Sequence, residues 1–133
     1  MKIVKEHPPN FADISRILHP PPTAVFPYGD TIYAPQGGDI PADILFHETI
    51  HQKQQGDNPE KWWAHYLYDK DFRYQQELEA YAKQYHFVCE HFPAKAKKEC
   101  LAELAHELST HYALDISYFS AHTSIRKYAN ERM

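Results

Sequence analysis

The sequence predicts an α+β fold, mainly helical, in which a small β element precedes the helix that carries the most informative motif. Three observations predict it. The last two thirds of the chain consist of long stretches with apolar residues at helical spacing, bounded by helix start and stop signals. The first third is rich in proline and holds two short β-prone runs around a Gly-Asp turn. Hydrophobic residues make up 43% of the 133 positions and aromatic residues 14%, enough to build a packed interior. The length suits one domain spanning 1–133.

Residues Asn10 to Leu18 predict a short helix with Phe11, Ile14, Ile17 and Leu18 on one side. His19-Pro20-Pro21-Pro22 ends it, because proline cannot continue a helix and disfavours helix in the residue before it. Ala24 to Tyr28 and Thr31 to Pro35 read as a hairpin or a pair of short strands around Gly29-Asp30, with Pro27 marking an edge strand. Asp39 is placed to cap a helix whose first turn holds Pro41 and which runs from about 40 to 55, with Gly56 as its C-cap. Asn58-Pro59-Glu60 repeats the start signal for an aromatic helix containing KWWAHYLY. A long helix follows from about 71 to 91 and stops before Pro93. The next helix has Leu101, Leu104, Ala105 and Leu108 at helical spacing, and 120–132 forms a last short one.

The bulk properties exclude several functions. A net charge of -4 and the lack of a basic stripe give no electrostatic support for nucleic acid binding. No stretch approaches the ~20 apolar residues of a membrane span, and the N-terminus lacks the apolar core of a signal peptide. The expectation is a cytoplasmic protein, with release by lysis or virion packaging as alternatives. Cys89 and Cys100 lie far apart and read as two reduced, mostly buried thiols rather than a disulfide framework. The sequence carries no signal for oligomeric state.

Phe46-His47-Glu48-Thr49-Ile50-His51 matches H-E-x-x-H. Positions four apart on a helix differ by only ~40° and one turn of rise, so His47 and His51 can reach one zinc ion from a single face. Glu48 is badly placed to be a ligand on that helix, but it is well placed as general base toward an attacking water. With ten His and ten Glu in the chain, chance would supply the motif about 0.06 times. The capped helical context strengthens it. His106 and His111 are five apart, ~140° around a helix, and read as surface and helix end.

A zinc hydrolase needs a third protein ligand and an open position. Gln54 and Asp57 stand where metzincins place Gly and His, which excludes that class. His65 is a weaker candidate inside an aromatic helix. Glu77-Leu78-Glu79-Ala80-Tyr81 on the long helix offers Glu77 or Glu79, which point ~200° apart, so at most one of them is a ligand; the family resemblance given below favours Glu77. Gln52 and Gln55 read as a solvated last turn, as cleft lining or as stabilising the helix end. Arg73 reads as a partner of Glu77 or of a carboxylate behind the ligands, or equally as half of a plain surface i,i+4 pair, and Trp62 and Trp63 read as core and flank.

The stretch HETIHQKQQ, WWAHYLYD and FRYQQELEAYAKQ resembles the small gluzincin-like metallopeptidases (minigluzincins) and similar short HExxH proteins of phage and bacteria, over about residues 25–90. The resemblance implies a zincin-like fold and a Zn2+ cofactor held by His47, His51 and Glu77. It also implies hydrolysis of a peptide amide with Glu48 as base, on a peptide or protein substrate. It makes Thr31 to Pro35 a cleft-edge strand, with Tyr33 and Ala34 near an extended peptide. Tyr81 falls where the family often has an acid beside the ligands. For the oxyanion, His106, His111, Tyr112 and Tyr118 all remain open. A non-catalytic zinc-binding or interaction protein on the same fold is the second reading.

Overall fold

A computed structural model describes residues 1–132. Their contacts gather in two compact units, Met1–Asp69 and a second beginning at Lys70.

In the first unit, β1 (Lys2–Val4), β2 (Phe26–Tyr28) and β3 (Thr31–Tyr33) form a sheet of order β1-β3-β2. β2 and β3 pair antiparallel with Tyr28 opposite Thr31, so Gly29 and Asp30 make a two-residue turn. Gly29 has φ +62°, the positive value that the first central position of a type II′ turn requires. Pro27 lies on an edge strand, as expected, because it has no N–H for a second ladder. β1 was not foreseen. It pairs in parallel with β3, Ile3 opposite Ile32, and three residues are too few to show a periodicity.

This topology corrects one expectation. The Thr31–Tyr33 strand is the centre of the sheet, with both of its edges already hydrogen-bonded, so it cannot accept an added peptide strand.

Helix α1 (Phe11–Leu18) closes at His19, which turns left-handed at φ 49° ahead of Pro20. α2 (Ala42–Gln55) begins later than expected. Pro41, not Asp39, occupies the N-cap position: its carbonyl accepts the first helical bond from Leu45 N at 2.9 Å, and no side chain caps the helix. Gly56, φ +60°, ends it. α3 (Pro59–Tyr68) is capped as the sequence indicates, with Asn58 Oδ1 accepting from Lys61 N at 3.0 Å. Around α2 and α3 the core is Ile14, Phe26, Ile32, Ile50, Trp62, Trp63, Tyr66 and Leu67, all buried. Trp62 stacks on Tyr66 at 4.7 Å between ring centroids.

The second unit consists of α4 (Lys70–His91), α5 (Ala94–Thr110) and α6 (Tyr118–Arg132), each packed on the other two. Leu78, Val88, Leu101, Leu104, Leu108, Leu114 and Ile125 form its core. Pro93 separates α4 from α5, as its missing N–H dictates. Cys89 is half-buried and Cys100 buried, both as free thiols. No described helix is long and apolar enough to cross a membrane.

Candidate metal centre

On α2 the buried polar residues are His47, Glu48, His51 and Gln55. They occur at one-turn intervals because 3.6 residues per turn brings positions 47, 51 and 55 onto one stripe. Burying two imidazoles and a carboxylate on one helix is costly unless each finds partners, so this stripe is the part of the helix that needs a functional explanation.

The geometry of the histidine pair is specific. His47 and His51 are 5% and 2% exposed, and their Nε2 atoms are 3.0 Å apart. Two nitrogens bound to one tetrahedral zinc at about 2.0–2.1 Å would stand about 3.3 Å apart. The two atoms therefore converge almost as a shared ion would require. The His51 ring packs against Trp62 at 5.4 Å and Tyr66 at 6.4 Å between centroids, which limits its rotation.

Gln54 sets the orientation of His51. Its Oε1 lies 2.7 Å from His51 Nδ1. With Nδ1 donating to that amide oxygen, the Nε2 lone pair faces His47, which is the tautomer a ligand needs. In the sequence Gln54 serves to exclude the metzincin pattern and carries no sign of this bond beyond its position. Its place three residues after His51, on the same helix face, was the available signal.

Glu48 is 6% exposed, and its Oε1 lies 3.9 Å from His47 Nε2. That is too long for a hydrogen bond to the ring but close enough to serve a small molecule held beside it.

Gln55 overturns the expectation of a solvated last turn. It is 5% exposed: its Oε1 accepts from Gly29 N at 2.8 Å, and its Nε2 donates to the Pro27 carbonyl at 2.8 Å. Trp63 Nε1 donates to the same carbonyl at 2.9 Å. Gln55 thus fastens the hairpin turn to the helix that carries the histidines.

On α4, Glu77 is buried, while Glu79 is half-exposed and pairs with Lys83 at 3.2 Å. This is the separation of directions that helical geometry predicts. Arg73 is not a surface residue. It is 5% exposed and donates to the main-chain carbonyl of Tyr112 at 2.8 Å. Tyr81, one turn after Glu77, hydrogen-bonds Glu107 and Tyr112. Burial, followed by the neighbouring Tyr112, Glu77 and Glu107, holds its hydroxyl well above the ordinary tyrosine range. It therefore remains a neutral donor.

His65 is exposed and bonded to Asp69 at 3.1 Å. His106 is exposed on α5, and His111 stands at that helix's C-terminal end.

Among the described residues, His47, His51 and Glu77 are the group of His, Cys, Asp or Glu side chains that could hold a metal ion. All three are buried, and their candidate ligand atoms lie within 4.8 Å of one another. Two neutral nitrogens and one carboxylate oxygen are a donor set suited to a borderline divalent ion such as zinc.

No protein family, curated protein or solved structure matches this chain.

Proposed function

We propose that this chain is a zinc-dependent hydrolase of the gluzincin type, acting on a peptide amide. The observation that carries the reading is the convergence of His47, His51 and Glu77 to within 4.8 Å, with Glu48 buried beside the first ligand. Three protein ligands leave one corner of a tetrahedron for water or substrate. A structural zinc site uses four, and no fourth His, Cys, Asp or Glu joins the group among the described residues. The non-catalytic zinc-binding reading is the weaker one for that reason.

When bound, zinc supplies Lewis acidity that polarises a carbonyl and lowers the pKa of water. The chain's own residues do the rest. His51 is aimed by Gln54 and by the aromatic rings of Trp62 and Tyr66. Glu48 accepts the proton of the attacking water and holds it for the leaving amine. The buried position of Glu48 keeps bulk solvent from competing for that proton.

The test is zinc content together with cleavage of a mixed peptide library by the purified protein. The parent should hold about one zinc. His47→Ala and Glu77→Ala should lose it, and Glu79→Ala should keep it. Glu48→Gln should keep zinc and lose cleavage by at least about 100-fold, the usual scale of a general base. Zinc retained in Glu77→Ala, or full cleavage in Glu48→Gln, would refute the assignment.

A further inference from the structure

The cations of the second unit fall into two sets. Lys70, Arg73 and Lys83 are engaged: Lys70 with Asp115 at 2.7 Å, Arg73 with the main-chain carbonyls of Tyr112 and Ala113, and Lys83 with Glu79 at 3.2 Å. Lys95, Lys97, Lys98, Arg126 and Lys127 form no ion pair among the described residues.

The second set gathers at one end of the unit. Lys95, Lys97 and Lys98 occupy the first turns of α5, directly after the turn at Phe92-Pro93. Burial, then Cys89 and Cys100, hold the Tyr85 hydroxyl above its ordinary range, and Arg126 opposes them. Cys100 and Arg126 are therefore neighbours of one tyrosine, which sets the middle of α6 level with the second turn of α5. Because α6 starts just beyond the end of α5, after residues 111–117, its later residues run back toward the Phe92 turn.

With Arg132, which lies over the Tyr128 ring at 4.7 Å, this end carries six cations against three carboxylates, Glu90, Glu99 and Glu131. Glu90 is already paired with His86 at 2.8 Å. The end is thus positive in a chain whose net charge is -4. Folding does not ask for this. The first turn of α5 has no acidic residue and no side-chain cap, and lysines there oppose the helix dipole at a cost in stability.

Shape narrows the partner. Phe92 is 46% exposed at the turn between α4 and α5, and a short turn joining two helices is a protruding tip. A bound peptide uses a groove or a free sheet edge. Cations around a protruding aromatic ring instead suit a broad, deformable anionic surface. Headgroups meet the lysines, and the ring enters the boundary with the acyl chains. We infer that this end of the second unit, with Phe92 at its tip, docks on an anionic phospholipid surface. The docking is peripheral, since no described helix is long and apolar enough to span a bilayer.

The probe is phosphatidylcholine vesicles with and without phosphatidylserine, sedimented with the full chain at low salt. Each basic side chain near an anionic surface favours binding about fivefold, so the excess of cations should favour the phosphatidylserine vesicles about 100-fold. Lys95→Gln with Lys98→Gln should weaken that binding about 25-fold. Phe92→Ser should weaken it about fivefold, and high salt should release the protein. Lys2→Gln with Lys61→Gln, two exposed lysines of the first unit, should bind as the parent does. All of these positions are exposed, and circular dichroism would confirm that the helices are intact.

Equal binding to both vesicles would overturn the inference, as would binding unchanged within twofold in the Lys95 and Lys98 double variant. An equal loss in the Lys2 and Lys61 double variant would also overturn it, by showing a general effect of charge. Phe92→Ser binding as the parent does would remove the ring from the interface. Tighter binding to a short nucleic acid duplex or to polyglutamate than to the vesicles, at the same salt, would assign these cations to another partner and overturn the lipid reading.

Discussion

If His47, His51 and Glu77 hold zinc as proposed, replacing Gln54 isolates how much of that affinity depends on the orientation of one imidazole. Its Oε1 lies 2.7 Å from His51 Nδ1, a short neutral hydrogen bond whose net value is about 0.5–1.5 kcal/mol. In Gln54→Leu the side chain keeps its bulk and loses the acceptor. His51 then loses its fixed tautomer as well as the bond, and removing such a partner of a metal-bound histidine typically costs 10–100-fold in affinity. The expected loss is therefore about 1.4–2.7 kcal/mol of zinc binding.

Gln54→Glu should act in the opposite direction. A carboxylate on Nδ1–H raises the basicity of the ring and should tighten zinc severalfold. The assay is competition for zinc against a chelator of known affinity at pH 7. Circular dichroism would confirm that α2, Ala42–Gln55, is intact in both variants. Equal zinc affinity in parent, Leu and Glu variants would refute the claim that this amide orients a ligand. Weakening by both replacements alike would show that Gln54 matters only for packing.

Two further predictions concern stability. Gln55→Leu leaves the half-buried Gly29 N–H without its acceptor and removes one of two donors to the Pro27 carbonyl. The expected cost is about 1–3 kcal/mol in urea unfolding, since two hydrogen bonds are lost at about 0.5–1.5 each, and a change under about 0.5 would show that the hairpin does not depend on this anchor. Tyr81 has a folded-state pKa raised well above 10.0 by burial, and then by Tyr112 and its acidic neighbours. Its contribution is complete below the unfolded value near 10 and is lost as pH rises through the folded one. Alkaline unfolding curves should therefore fall by up to ~1.4 kcal/mol per pH unit above pH 10 more steeply in the parent than in Tyr81→Phe, and parallel curves would contradict it.

What the sequence determined by itself was what neighbouring residues along the chain decide. His47 and His51 meet because 3.6 residues per turn superimposes positions four apart, and the same geometry turns Glu77 inward when Glu79 faces Lys83. The Asn58 cap, the Pro93 break and the Gly29 turn are likewise local chemistry, legible without a fold. The tertiary structure alone decided the pairings between distant positions. It made Thr31–Tyr33 the middle of the sheet by adding β1, and moved Gln55 from an expected solvated turn to an anchor under the hairpin. It also spent Arg73 on carbonyls 39 and 40 residues away. Such contacts depend on which buried donors and carbonyls would otherwise go unmet once the chain is compact. A glutamine or an arginine reads the same in sequence whether its partner is water or a backbone group brought in from elsewhere.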